Sequence, residues 1–192
     1  DSLKIVLLAD THFGYSMGTA QAKRIVKKIN TENPDVVCIA GDISIMNTTP
    51  FPNQKIKRNL KGIKVQIWSL CLLGQSRPER TNLAGFTFNG TEDNYNDPRM
   101  EEFLTDAGIH LLDDKSDSDT TTNFILSAAG MPPAVKVEGS RATPSQLTES
   151  LDQNKPIIFI DHQPKELDET AAAGVDLDLC GHTHDGQISP ET

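Results

Sequence analysis

Four short apolar runs each stop at residues able to bind protons or metals, and this arrangement leaves few folds open. Residues 5–9 run into Asp10 and His12, and Val36–Ala40 into Gly41 and Asp42. Ile157–Ile160 is followed by Asp161 and His162, and Leu177–Leu179 by Cys180, Gly181, His182 and His184. The runs are too short for helices and rich in β-branched residues, so they read as buried strands. Between the first two, Ala22, Ile25, Val26 and Ile29 recur at helical spacing, with Thr19 as the candidate cap. Strand, helix, strand is the order of a parallel α/β unit. In open sheets of this kind ligands bind beyond the carboxyl ends of the strands, which would place all four polar termini along one edge.

Further elements follow from local signals. A helix is expected over residues 98–107, capped by Asp97, with Pro98 first, Phe103 and Leu104 in its stripe and Gly108 at its end. Thr143 and Pro144 open a shorter helix through Leu147 and Leu151. Residues 156–160 read as a strand, 165–173 as a helix and 175–179 as the last strand. The polar stretch 113–123 and residues 130–139 show no periodicity. A chain of 192 residues is long enough for one domain with a substantial core, so residues 1–192 are expected to form one, continuing beyond Thr192.

Charge and cysteine usage exclude several classes. The net charge of −9 opposes a stable nucleic-acid partner, whose binding is dominated by phosphate neutralisation. Cys38, Cys71 and Cys180 are odd in number and form no CxxC pair, which argues against a disulfide framework or a cysteine zinc site. No early apolar stretch approaches the roughly 20 residues of a membrane-spanning helix. Localisation stays open between the cytoplasm and the extracytoplasmic part of a membrane-anchored protein, held through a segment outside this chain.

Asp-x-His, Gly-Asp and a single loop histidine are each common. Their joint placement is not, since four of the five histidines stand at strand ends and only His110 does not. Asp10-Thr11-His12, Gly41-Asp42, Asp161-His162 and Gly181-His182-Thr183-His184 together resemble the calcineurin-like phosphoesterase family. Residues 157–188 particularly resemble its bacterial, often membrane-anchored members. The likeness is good at both ends of the chain and poor in the middle. It implies an α/β (α+β) fold, a two-sheet β-sandwich flanked by helices, with a dinuclear centre. Asp10, His12 and His184 would hold one ion and His162 and His182 the second, with Asp42 bridging. Carboxylate and imidazole ligands suit manganese, iron or zinc. The implied activity is hydrolysis of a phosphomonoester or phosphodiester substrate by a hydroxide between the two ions, with Asp42 and His182 in the catalytic set.

One family motif is missing. Gly-Asn-His-Asp/Glu supplies an asparagine ligand and an acid histidine, and this chain has Gly74-Gln75-Ser76-Arg77 or Gly90-Thr91-Glu92-Asp93 in its place. The first directly follows the apolar run of residues 67–73, as the motif does in the family. Gln75 could offer an amide oxygen to a metal, whereas Ser76 cannot replace an imidazole as acid. Synonymous codons exist for residues 66–77 that, read one base later, spell K-Y-G-V-Y-A-C-W-G-N-H. Residues 123–134, which show no strand pattern, likewise conceal F-Y-I-V-G-R-R-D-A-S-R two bases later. Both segments therefore read as frame-shifted versions of an ordinary member. The rival reading is a catalytically weakened metal-binding domain that serves as an interaction module.

Overall fold

The computed structural model describes residues 2–13, 17–41, 43, 54–65, 67–70, 98–112, 114–117, 123–129 and 142–182. Its architecture follows from a strand with no polar side. β2 (Val36–Ala40) is buried at every position, so both of its faces need cover. Val37 and Ile39 pack against Ala22, Val26 and Ile29 of α1 (Thr19–Glu32), Ile56 and Leu60 of α2 (Gln54–Leu60) and Phe103 and Leu104 of α3 (Pro98–Asp106). Val36, Cys38 and Ala40 point the other way, onto Leu126 and Ala128 of β6 (Ile125–Ala128) and Ile158 and Ile160 of β7 (Ile157–Ile160). Phe159 of β7 turns outward to Leu147 of α4 (Pro144–Thr148). The layers are helix, sheet, sheet, helix, which is the expected sandwich. Phe159 has no exposed surface, and truncating such a side chain to alanine costs about 3–5 kcal/mol.

The first sheet has the order β1-β2-β3-β4 and is parallel throughout, with β1 at Ile5–Leu8, β3 at Ile67–Leu70 and β4 at Ile109–Leu112. The second has the order β5-β6-β7-β8, with β5 (Lys115–Asp117) antiparallel to β6 and the other pairs parallel. Its last strand is β8 (Leu177–Leu179), which α5 (Leu167–Ala172) connects to β7. Leu8 stands level with Ile39 and Ile160 with Leu179. The chain therefore leaves β1 and β2 side by side, and likewise β7 and β8.

Several local expectations need correction. Thr19 is the first residue of α1 and not its cap; Gly18 occupies that position and makes no side-chain bond. α4 starts at its signal, where Thr143 and Gln146 form a reciprocal capping box, but ends at Thr148, short of Leu151. Ile125–Ala128 is a strand in the sequence as written, although its pattern gave no sign of one. Parallel pairing with β7 explains it, since β6 is buried at all four positions. β1, α5 and β8 are each shorter than expected by one residue or more at both or one of their ends.

Candidate metal centre

Beyond β1 the backbone takes an unusual path. Asp10 and His12 have φ of 51° and 43°, and His182 has 71°. These three expected ligands are among the five non-glycine residues with positive φ in the described part of the chain. Each such residue costs on the order of 1–3 kcal/mol and persists only where its surroundings hold it. Here the hold is visible. Asp10 N–H donates to the Gly41 carbonyl at 3.4 Å and Phe13 N–H to that of Ile43 at 2.8 Å. The buried Thr11 hydroxyl also donates to Ile43 O, at 3.0 Å. Both neighbours of Asp42 are thus bonded to the Asp10–His12 loop; Asp42 itself lies outside the described residues.

The second sheet brings the imidazoles. His162 is 1% exposed and its Nδ1 lies 2.9 Å from the Ala40 carbonyl. A carbonyl can only accept, so Nδ1 carries a proton, and Nε2 is the ring nitrogen that a metal could take. Gly181 N–H donates to His162 O at 3.0 Å, which levels the turns after β7 and β8. His182 N–H then donates to Asp10 Oδ2 at 2.9 Å. In consequence His182 Nδ1 stands 3.2 Å from His162 Nε2, with the rings edge to face at 74°. Asp10 Oδ1 lies 4.0 Å from the same Nε2.

This spacing fits a shared divalent ion. Two ring nitrogens about 2.1 Å from one ion, at angles between octahedral and tetrahedral, stand about 3.0–3.4 Å apart. Carboxylate oxygen and imidazole nitrogen are also the donors that manganese, iron and zinc accept. Among the described residues, however, no three acidic, histidine or cysteine side chains close into a metal-holding group by themselves. Of the expected ligands, Asp10, His162 and His182 come together, and His12 sits in the same bonded loop. Asp42, His184, Gln75 and the neighbouring Ser76 lie outside the described residues, as does Gly90-Thr91-Glu92-Asp93. His110 is exposed on β4, away from the strand-end edge.

Three contributors had no assigned role in the sequence. Gly181 permits the approach of the sheets: a methyl group there would lie 2.7 Å from Ala9 Cβ and 2.8 Å from Asp10 Oδ2. Thr11 anchors the loop, and the Ala40 carbonyl sets the His162 tautomer. Gly181 alone could have been suspected, from its place between a strand and a histidine. Cys38 takes no part. Burial between the sheets pushes its thiol up to about 12, and neither Cys38 nor Cys180 is in a disulfide.

Comparison with known proteins bears on the family. The chain is 28% identical over its whole length to a zebrafish (Danio rerio) protein called transmembrane protein with metallophosphoesterase domain, covering 42% of that protein. An uncharacterized metallophosphoesterase of Campylobacter jejuni is 25% identical over 98% of the chain and 46% of its own length. One of Helicobacter pylori is 26% identical at the same coverages. The chain thus spans less than half the length of these curated relatives. The family model for calcineurin-like phosphoesterases matches residues 3–186. With that match and the convergence of Asp10, His162 and His182, the chain belongs to the calcineurin-like phosphoesterase family.

Proposed function

We propose that residues 1–192 form one metal-dependent phosphoesterase domain with two divalent ions. Asp10, His12 and His184 would hold one ion and His162 and His182 the other, with Asp42 serving both. The observation that carries this reading is the 3.2 Å approach of His162 Nε2 and His182 Nδ1 beside the Asp10 carboxylate. Bound ions of this kind supply Lewis acidity toward phosphate oxygens and make water nucleophilic near neutral pH.

The chain's own groups do the positioning. The Ala40 carbonyl orients His162, and the His182 N–H fixes the Asp10 carboxylate. Left-handed backbone at Asp10, His12 and His182 pre-orients these residues before any ligand arrives. Gln75 offers an amide oxygen where the family has asparagine. Ser76 provides no acid for the leaving group, so turnover on poor leaving groups is slow in the chain as written. Sequencing the gene across codons 60–140 tests whether residues 66–77 and 123–134 are frame-shifted.

The substrate is a phosphate ester, either a monoester or a diester. Among the described residues no helix is long and apolar enough to cross a membrane. The name of the zebrafish relative favours a membrane-associated whole protein, anchored outside residues 1–192. Calorimetric titration with Mn²⁺ tests the site. Asp42→Asn removes charge from both ions and weakens both, whereas His12→Ala chiefly weakens one. Full two-ion occupancy in Asp42→Asn would rule out the bridging role.

A further inference from the structure

Charge is segregated along this chain. Residues 19–64 hold nine of its eighteen Lys and Arg but only three of its twenty-seven Asp and Glu. That stretch carries +6, which leaves −15 on the remainder of a chain with net charge −9. Folding gathers the cations into one layer. Ala22, Val26 and Ile29 mark the inward stripe of α1. At helical periodicity Lys23, Arg24, Lys27 and Lys28 fall on the opposite side, and all four are exposed. α2 repeats the pattern, with Ile56 and Leu60 buried and Lys55 and Arg58 exposed; Lys61 and Lys64 follow just past its end. The helices are tied together by Asn59 Nδ2–H to Thr19 O at 3.1 Å and Asn30 Nδ2–H to Gly62 O at 2.8 Å.

Few of these cations are neutralised. Lys28 pairs with Glu32 at 3.4 Å and Lys57 with Asp106 at 2.7 Å. Lys23, Arg24, Lys27 and Arg58 have no ion pair among the described residues. Beside them a groove of about 540 Å³ runs between α1 and the edge strand β1, lined by Leu7, Leu8, Met17, Ile25, Arg24 and Lys28. Leu7 is 41% exposed.

We propose that the α1–α2 layer docks on an anionic phospholipid bilayer, its cations against the headgroups and the groove beside Arg24 and Lys28 receiving acyl-chain surface. Polybasic segments are drawn to anionic leaflets. The rest of the chain, at −15, is repelled by the same leaflet and adds nothing to the attraction. A nucleic acid fits less well. Neither helix carries an aromatic side chain on which bases could stack, and the groove between the cations and β1 is apolar. The docking uses none of the metal-centre residues.

Co-sedimentation of the full chain with phosphatidylcholine vesicles, with and without phosphatidylserine, tests the proposal. Binding is expected to be at least about tenfold stronger with phosphatidylserine and to fall as salt shortens the screening length. The combined Lys23→Glu, Arg24→Glu and Lys27→Glu variant should lose about tenfold or more of that binding. Lys115→Glu, Lys155→Glu and Lys165→Glu change net charge equally outside the layer and should lose much less. Leu7→Ser should weaken binding with no change of charge. Thermal unfolding checks each fold, and glutamine replacements serve if the reversed variant does not fold. Equal binding to both vesicles, equal loss in the two triple variants, or tighter binding of a labelled DNA duplex than of phosphatidylserine vesicles overturns the proposal.

Discussion

Gly181→Ala probes how closely the two sheets must meet at the metal centre. The added methyl would lie 2.7 Å from Ala9 Cβ, 2.8 Å from Asp10 Oδ2 and 3.1 Å from Ala40 O. Carbon atoms normally approach to about 3.5–4.0 Å, so the shortfall at Ala9 is close to 1 Å. Two of these neighbours are a backbone oxygen and a β-carbon, which cannot swing aside; only the carboxylate can rotate. Overpacking of this kind costs about 1–3 kcal/mol. Rotation of Asp10 would also break its charge-assisted bond from His182 N–H, worth about 1.5–3 kcal/mol. Stiffening of the unfolded chain returns about 0.4–1 kcal/mol. The expected net loss is about 3 kcal/mol, or a Tm about 6–12 °C lower for a domain of this size. Mn²⁺ affinity should fall at least about tenfold, since a 1.4 kcal/mol loss of ligand positioning suffices. Gly108→Ala is the control. Its φ is +81° but nothing lies within 4 Å of the added methyl, so only left-handed strain of about 1–2 kcal/mol applies. A Gly181→Ala protein that melts no lower than Gly108→Ala and binds Mn²⁺ normally would refute the reasoning.

Two further outcomes follow from the site and the core. Gln75→Asn, Ser76→His and Arg77→Asp together should raise kcat about 10²–10⁴-fold on an alkyl phosphate ester, whose leaving group needs a proton. The gain on a p-nitrophenyl ester should be much smaller; equal gains would indicate metal affinity instead, and none would shift the motif to Gly90–Asp93. Cys38, with its thiol at about 12, should resist thiol reagents at pH 8 until the protein unfolds. The folded state holds that proton more tightly than the unfolded one. Stability relative to Cys38→Ala should therefore be constant below about pH 9 and fall by about 1.4 kcal/mol per unit from there to pH 12, measurable by denaturant unfolding.

Strands buried on both faces were the legible part of the fold. β2 and β7 are continuous apolar runs because helices cover one side and the facing sheet the other. β5 left no such trace. Lys115-Ser116-Asp117 has no apolar residue, and Ser116 is fixed by hydroxyl bonds to Ser127 and to the Leu147 carbonyl. α2 was equally obscure, since only Ile56 and Leu60 of its seven residues are buried. At the site, the strand ends singled out Asp10, His162 and His182, which the fold brings together, but gave no sign of their backbone conformation. No glycine marks the left-handed turns at Asp10, His12 and His182, which depend on bonds to Gly41, Ile43 and each other made only in the folded chain.

The contact between His182 and Asp10 spans 172 positions, and that between His162 and Ala40 spans 122. The centre thus joins segments that lie far apart along the chain. Loop closure over such separations grows only logarithmically in cost but delays assembly, so local helices can form long before the ligands meet. A half-made or half-folded molecule can look helical by circular dichroism and still have no His162–His182 pair to offer. Stoichiometric metal uptake consequently counts finished molecules, and in a refolding mixture it should lag behind the recovery of helix.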